Sequence, residues 1–310
     1  MSSPPDTHSR RAALECMVWA GAGVLWTMSG GVPRSHLLGS AEAATPDTHA
    51  LSFVQISDSH IGFSKPPNLD PAGTLGEAVA LVARDKGNAA LMIHTGDVSH
   101  LSRDSQWDTA QQIVGGARLP TMYVPGEHDV LVDDGTGFFA RFTPGAPRGW
   151  YSFDQSGVHF VALNNVQNLQ AGGLGTLGAD QLAWLQADLA GRPASQPIVV
   201  FAHIPLWTIS ADWGWGTDDA EQALALLRRF GSVTVLNGHI HQVMQKVEGA
   251  VAFHTARSTA FPQPAPGTAD APGPIKTLPP GRLRSTLGIT RVAQVRLGSP
   301  LAIIDTPLGA

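Results

Sequence analysis

The chain has 310 residues, with 20 Lys and Arg against 25 Asp and Glu, for a net charge of −5. It lacks the basic balance of a nucleic-acid binder, whose domain pI usually exceeds about 9. Its single cysteine, Cys16, excludes an internal disulfide framework and a thiolate metal cluster, whereas twelve histidines favour imidazole and carboxylate ligands for any bound metal. A hydrophobic fraction of 43% supports a sizeable core, in one large domain or two smaller ones.

Residues 1–43 read as a cleaved export signal of the twin-arginine type. Arg10-Arg11 is followed by an apolar, glycine-rich stretch at 17–32, and Ala41-Glu42-Ala43 fits a small-residue cleavage site. The apolar stretch is too short and too rich in glycine for the roughly 20 apolar residues of a membrane anchor. The expected location is therefore outside the bacterial cytoplasm, periplasmic or extracellular, with no stable anchor after cleavage. Residues 44–310 show no repeat and no clean linker, so they read as one domain.

Within it, residues 51–57 form a strand ending in Asp58-Ser59-His60. Alone, Asp-x-His is often a surface turn. Leu75, Ala78, Val79 and Val82 recur at helical spacing, which predicts a helix over 74–86. The apolar run 89–93 is a buried strand. It leads through His94-Thr95-Gly96 to Asp97, just past the edge where open α/β sheets bind ligands. A helix is predicted over 104–114, packed through Trp107 and Ile113. Residues 119–124 are a strand broken by Pro125-Gly126. The three ionisable residues that follow, Glu127-His128-Asp129, are costly unless they serve a site.

Segments 150–153 and 158–164 read as a hairpin about Gly157, and 179–190 as a helix with Leu182, Leu185 and Leu189 on one face. Residues 198–202 are an apolar strand ending at His203. The loop 207–217, with Trp207, Trp213 and Trp215 among glycines, reads either as a rim of the site or as packing over a core edge. Asp218-x-x-Glu221 resembles a capping box for a helix running to residue 230. A strand at 232–236 leads into Asn237-Gly238-His239-Ile240-His241. A second hairpin turns at Glu248-Gly249. Residues 262–281 are a Pro- and Gly-rich loop, and 282–310 supply closing strands.

Taken together, Asp58-x-His60, Gly96-Asp97, Gly126-Glu127-His128-Asp129, His203 and Gly238-His239-x-His241 resemble the calcineurin-like metallophosphoesterase family. That family's segments are Asp-x-His, Gly-Asp, Gly-Asn-His-Asp/Glu, a lone His and Gly-His-x-His, in the same order. Among its members, cyclic-nucleotide-phosphodiesterase-like and purple-acid-phosphatase-like proteins look most similar. One departure stands out: Glu127 occupies the position of the family Asn.

The resemblance implies an α/β fold, the four-layer α/β/β/α sandwich with two mixed β-sheets. It implies two divalent or trivalent metal ions (Mn, Fe or Zn) and hydrolysis of a small-molecule phosphate mono- or diester by a metal-bridging hydroxide; the extra carboxylate charge of Glu127 favours the diester somewhat over a monoester dianion. By carry-over, Asp97 bridges the ions, Asp58, His60 and His241 hold one, and Glu127, His203 and His239 hold the other. His128 is the general acid and Asp129 orients its imidazole. The alternative is a degenerate member that holds metal or phosphate without turnover. A nuclease is disfavoured by the negative charge and the lack of a basic track.

Overall fold

Alternate side chains of each buried strand enter different cores, as a pleat of period two requires. Val199 and Phe201 sit in one apolar cluster, while their neighbours Ile198 and Val200 sit in another. This alternation decides the architecture, and the elements below supply its layers.

The computed structural model describes residues 24–29, 32–37, 51–294 and 301–309. The chain divides into a unit of residues 1–48 and a unit of residues 49–310. In the first, β1 (Val24–Ser29) pairs antiparallel with β2 (Val32–Leu37), from Val24 opposite Leu37 to Ser29 opposite Val32. The twin arginine and the expected cleavage site lie outside the described residues.

The second unit runs β3 (Ser52–Ile56), α1 (Pro71–Asp85), β4 (Leu91–His94), α2 (Asp104–Val114), β5 (Thr121–Tyr123) and α3 (Thr136–Phe142). It continues through β6 (Tyr151–Gln155), β7 (Val158–Ala162), α4 (Ala179–Leu189), β8 (Ile198–Phe201), α5 (Ala220–Leu227) and β9 (Val233–Asn237). The chain closes with β10 (Gln245–Glu248), β11 (Val251–Thr255), α6 (Leu283–Thr286), β12 (Gly288–Gln294) and β13 (Leu301–Pro307). No helix among the described residues is long and apolar enough to cross a membrane.

One sheet has the order β13-β12-β3-β4-β5, the other β10-β11-β9-β8-β7-β6. Both are mixed: β3, β4 and β5 run parallel beside antiparallel β12 and β13, and β11, β9, β8 and β7 run parallel between antiparallel β10 and β6. Phe53, Leu91 and Ile93 from the first sheet meet Phe160, Val199 and Phe201 from the second. Val54, Ile56 and Met92 face the other way, onto Leu75, Val79 and Trp107 of α1 and α2. Val161, Val200 and Val235 likewise pack on Leu185 and Leu189 of α4 and Leu224 of α5. The result is the expected sandwich of helices, two mixed sheets and helices.

Two local expectations change. Helix α1 begins at Pro71 rather than residue 74, because Asp70 caps it by accepting from Gly73 N at 2.8 Å and proline fits the first helical position. The capping box at 218–221 does not form. Helix α5 starts at Ala220 with no side-chain cap. Asp219 instead accepts from Leu177 N (2.9 Å) and Gly178 N (2.8 Å), a tertiary demand that outweighs local capping. Glu221 turns to Arg228.

A polar pin joins the two sheets. His254 of β11 bonds Asp305 of β13 (Nε2 to Oδ2, 3.0 Å), and Thr290 Oγ1 donates to Asp305 Oδ1 at 2.7 Å. Burial would raise the Asp305 carboxyl, but these partners outweigh it and hold it below its ordinary value. The folded value is depressed, so this contribution is present above the unfolded carboxylate value of about 3.9 and is lost as pH falls through the folded one. Asp305→Ala should therefore cost about 1–3 kcal/mol at neutral pH. In urea unfolding across pH, that cost should shrink toward zero in strong acid. A cost independent of pH would show that the pin is not electrostatic.

Candidate metal centre

All the ionisable segments singled out in the sequence follow the C-terminal ends of parallel strands. Asp58 and His60 follow β3, Asp97 follows β4, Glu127 and His128 follow β5, His203 follows β8, and His239 and His241 follow β9. The two sheets thus contribute their carboxyl edges to one place, where open α/β sheets hold ligands.

Sharp turns aim these side chains. Asp58, His60, Asp97, His239 and His241 all adopt left-handed backbone, with φ between 41° and 69°. Such conformations cost about 1–3 kcal/mol each for non-glycine residues and gather at functional sites. The motif glycines allow the loops to touch. A Cβ on Gly126 would lie 2.0 Å from Asp97 Oδ1, and one on Gly238 would lie 2.0 Å from Ser57 Oγ and 2.6 Å from Asp58 Oδ2. The loops are then cross-tied. His239 N donates to Asp58 Oδ1 at 3.0 Å, and His128 N donates to Asp97 Oδ1 at 3.0 Å.

The side chains form two sets whose ligand atoms lie within 4.8 Å of one another: Asp58, His60 and His241, and Glu127, His203 and His239. Asp97 Oδ2 stands 3.3 Å from His60 Nε2 of the first set and 3.6 Å from His203 Nε2 of the second. In the first set, His241 Nε2 is 3.2 Å from Asp58 Oδ1. In the second, Glu127 reaches His203 Nε2 at 2.8 Å and His239 Nδ1 at 3.1 Å.

The donor set fits metal ions. Glu127 Oε2, His203 Nε2 and both ring nitrogens of His239 are buried and make no directed hydrogen bond; the polar atoms near them are those of the cluster itself. Buried polar atoms are normally satisfied, so converging orphans of these types suit a cation. The opposite ring nitrogens are pinned: His203 Nδ1 donates to Thr95 O (2.7 Å) and His241 Nδ1 to Phe261 O (2.5 Å). A carbonyl acceptor fixes the proton on Nδ1 and presents the Nε2 lone pair to the centre.

The electrostatics show how tightly charge is crowded. Burial and the nearby Glu127 push the Asp97 carboxyl well above its ordinary range. Burial also raises Glu127, but His239 and His203 pull it well below. Asp58 is brought down to about 2 by His241 and His203 against its burial. Burial, reinforced by His128, His241 and His100, keeps His60 well below its usual value and hence neutral, as a metal ligand must be.

One expectation about the neighbours changes. Asp129 does not orient His128. Its buried carboxylate accepts from Val98 N (2.9 Å), Ser99 N (2.8 Å), Ser99 Oγ (2.8 Å) and Gly126 N (3.1 Å), stapling the loop after Asp97 to the Gly126 turn. The His128 ring is held instead by His100, whose carbonyl lies 2.8 Å from Nδ1. The ring of His128 comes within 4.8 Å of both Asp97 and Glu127.

Sequence reasoning passed over His100 and His94. His100 stacks on His128 (4.7 Å, 17°) and is held down to about 4 by burial, His128 and Lys65. Its signal was its place three residues beyond Asp97 in the same loop. His94 supports the first ligand loop from below, with Nε2 2.8 Å from Ser59 Oγ.

A cavity of about 930 Å³ opens over the cluster. Phe63, Phe261, Trp213 and Trp215 give it aromatic walls, and Lys65 and Lys276 add positive charge. Both readings of the tryptophan loop hold in part: Trp213 and Trp215 line the cavity, while Trp207 packs on Phe253 at 5.2 Å. The loop 262–281 forms another wall. Gln263 anchors it by donating to His239 O (2.9 Å) and accepting from Gly273 N (2.8 Å).

A two-sheet α/β sandwich with an Asp/His/Glu cluster at the carboxyl edges of both sheets defines a metallophosphoesterase type of protein. The chain belongs to the calcineurin-like phosphoesterase family, whose model matches residues 51–243. It is 29% identical over 221 residues to a probable cyclic nucleotide phosphodiesterase of Rhodopseudomonas palustris, covering 68% of this chain and 78% of that one. It is 28% identical over 271 residues to the 3′,5′-cyclic adenosine monophosphate phosphodiesterase CpdA of Pseudomonas aeruginosa, covering 83% and 96%. In structure it resembles a dimetal phosphatase from Danio rerio, with a TM-score of 0.58 and 16% identity over 82% of this chain and 98% of that one. At that identity the likeness is one of fold.

Proposed function

We propose that this protein is a two-metal phosphoesterase that hydrolyses small-molecule phosphodiesters. The observation that carries the reading is the pair of three-residue sets flanking Asp97 Oδ2. Asp58, His60 and His241 would hold one ion, Glu127, His203 and His239 the other, and Asp97 would serve both. Two ions held there supply a clamp for the phosphoryl oxygens and activation of the attacking water.

The remaining roles belong to the chain itself. His128 keeps one proton on Nδ1 against the His100 carbonyl, leaving Nε2 to carry a proton to the leaving oxygen. The aromatic walls offer an apolar surface for the body of the substrate, and Lys65 and Lys276 suit its negative charge. The relatives named as cyclic nucleotide phosphodiesterases support a diester substrate. The competing reading, metal or phosphate binding without turnover, rests on Glu127 in the Asn position. Glu127 nonetheless reaches both His203 and His239, as a ligand would.

Glu127 also favours diesters on charge. Two divalent ions against three carboxylates leave one positive charge, where an Asn would leave two. A monoester dianion loses more from that difference than a diester monoanion does. Glu127→Asn should therefore raise kcat/KM for an aryl phosphate monoester relative to an aryl diester by roughly tenfold, about 1.4 kcal/mol. An unchanged ratio would mean that Glu127 does not contribute its charge to the phosphate site.

A further inference from the structure

We propose that His100 is a positioning residue that sets the proton placement of two neighbours at once. Its ring nitrogen takes the Nδ1 proton of His60, and its main-chain oxygen takes the Nδ1 proton of His128. The inference rests on the two-metal reading above.

His60 presents its two ring nitrogens to different surroundings. Its Nε2 faces the cluster, 3.3 Å from Asp97 Oδ2 and 3.2 Å from His241 Nε2. Its Nδ1 faces away from the cluster, 3.3 Å from His100 Nδ1. A neutral imidazole carries one proton, and the nitrogen that binds an ion must be bare. The His60 proton therefore sits on Nδ1, and its hydrogen-bond partner in the structure is His100 Nδ1. Two nitrogens facing each other share one proton, so His100 Nδ1 accepts and the His100 proton sits on Nε2. His203 and His241 solve the same problem with main-chain carbonyls. His60 uses a second imidazole.

The fold holds His100 in place for this task. His100 N donates to Ile61 O at 3.0 Å, joining the loop after Asp97 to the loop after Asp58. The ring is clamped between His128, stacked at 4.7 Å, and Phe63, edge-on at 5.3 Å. The same residue's carbonyl holds His128 Nδ1 at 2.8 Å. One residue thus sets a ligand proton through its side chain and the proton of the proposed acid through its backbone. Substitution removes only the first of these.

The test is Zn²⁺ titration of the chelated full chain, read by competition with a fluorescent chelator. The variants are His100→Phe, which keeps a flat ring and loses the acceptor, and His100→Asn, whose Oδ1 can accept. Loss of an outer partner of a ligating His typically weakens metal binding 10–100-fold. His100→Phe should lose about that factor for one ion and keep the affinity for the other, and His100→Asn should recover most of it. Equal weakening in both variants, or wild-type affinity for both ions in His100→Phe, would overturn the inference.

Long-range ¹⁵N correlation spectra of the Zn²⁺-loaded wild type give a readout that needs no variant. Protons on His60 Nδ1 and His100 Nε2 are expected, and the opposite assignment contradicts the proposal. A wild-type chain that took up no ion would sink the two-metal reading and this inference with it. Normal wild-type uptake with an unaffected His100→Phe would sink the inference alone.

Discussion

Asp97→Ala is expected to remove activity by a factor on the order of 10³ or more, the scale of losing a key charge-stabilising element, and to strip at least one ion from the protein. Asp97 is the residue whose single oxygen lies within 3.6 Å of nitrogens from both ligand sets. The fold itself should tolerate the change. In the ion-free protein, burial and the Glu127 charge push the Asp97 carboxyl far above its usual range, so that carboxylate is a burden on stability there. Relief of that burden offsets the lost tie from His128 N to Asp97 Oδ1, so the ion-free variant should melt near the wild-type temperature, while its ion content and turnover collapse. Metal content by elemental analysis, thermal unfolding with chelator and turnover of an aryl phosphodiester separate the effects. Full ion content with normal turnover would remove Asp97 from the centre of the account.

His128→Ala should act in the opposite manner, with ion content preserved and turnover lowered by roughly 10²–10⁴, the usual contribution of a general acid. The main-chain bond from residue 128 to Asp97 Oδ1 survives the substitution, so the ligand loops keep their tie. What is lost is the imidazole held at Nδ1 by the His100 carbonyl and stacked on the His100 ring. Its proton matters most when the leaving oxygen is basic. The deficit should be small for a nitrophenolate leaving group and large for an alkoxide. Equal deficits for the two would assign His128 to binding rather than proton transfer.

The sequence made the sheet edges legible because the physics there is local. Short, mostly apolar runs at Leu91–His94, Ile198–Phe201 and Val233–Asn237 read as buried strands, and a glycine or a ligand residue type follows each within two residues. The grouping of Asp58, His60, Asp97, Glu127, His203, His239 and His241 followed from motif order. What remained hidden depended on direction. Asp129 adjoins His128 in sequence, yet its carboxylate turns away toward the amides of Val98, Ser99 and Gly126. His100 looked like one more loop residue until the left-handed turn at Asp97 and the bond from its amide to Ile61 carried it against His60. Asp219 was close to the cap expected at 218, but the amides of Leu177 and Gly178, some forty residues earlier, claimed it. The helix Thr136–Phe142 gave little periodic signal over its 7 residues, and packing of Phe138, Phe139 and Phe142 secures it.

The central claim is that two ions and one phosphodiesterase activity belong to the same cluster. The most direct test is stepwise reconstitution of the chelated protein with Zn²⁺ or Mn²⁺, following ion stoichiometry and bis(p-nitrophenyl) phosphate hydrolysis together. The expected result is no turnover without ions, uptake of two ions per chain, and activity that rises with the second. Turnover that survives complete chelation, or saturation at two ions with no hydrolysis of any phosphate ester, would contradict the account.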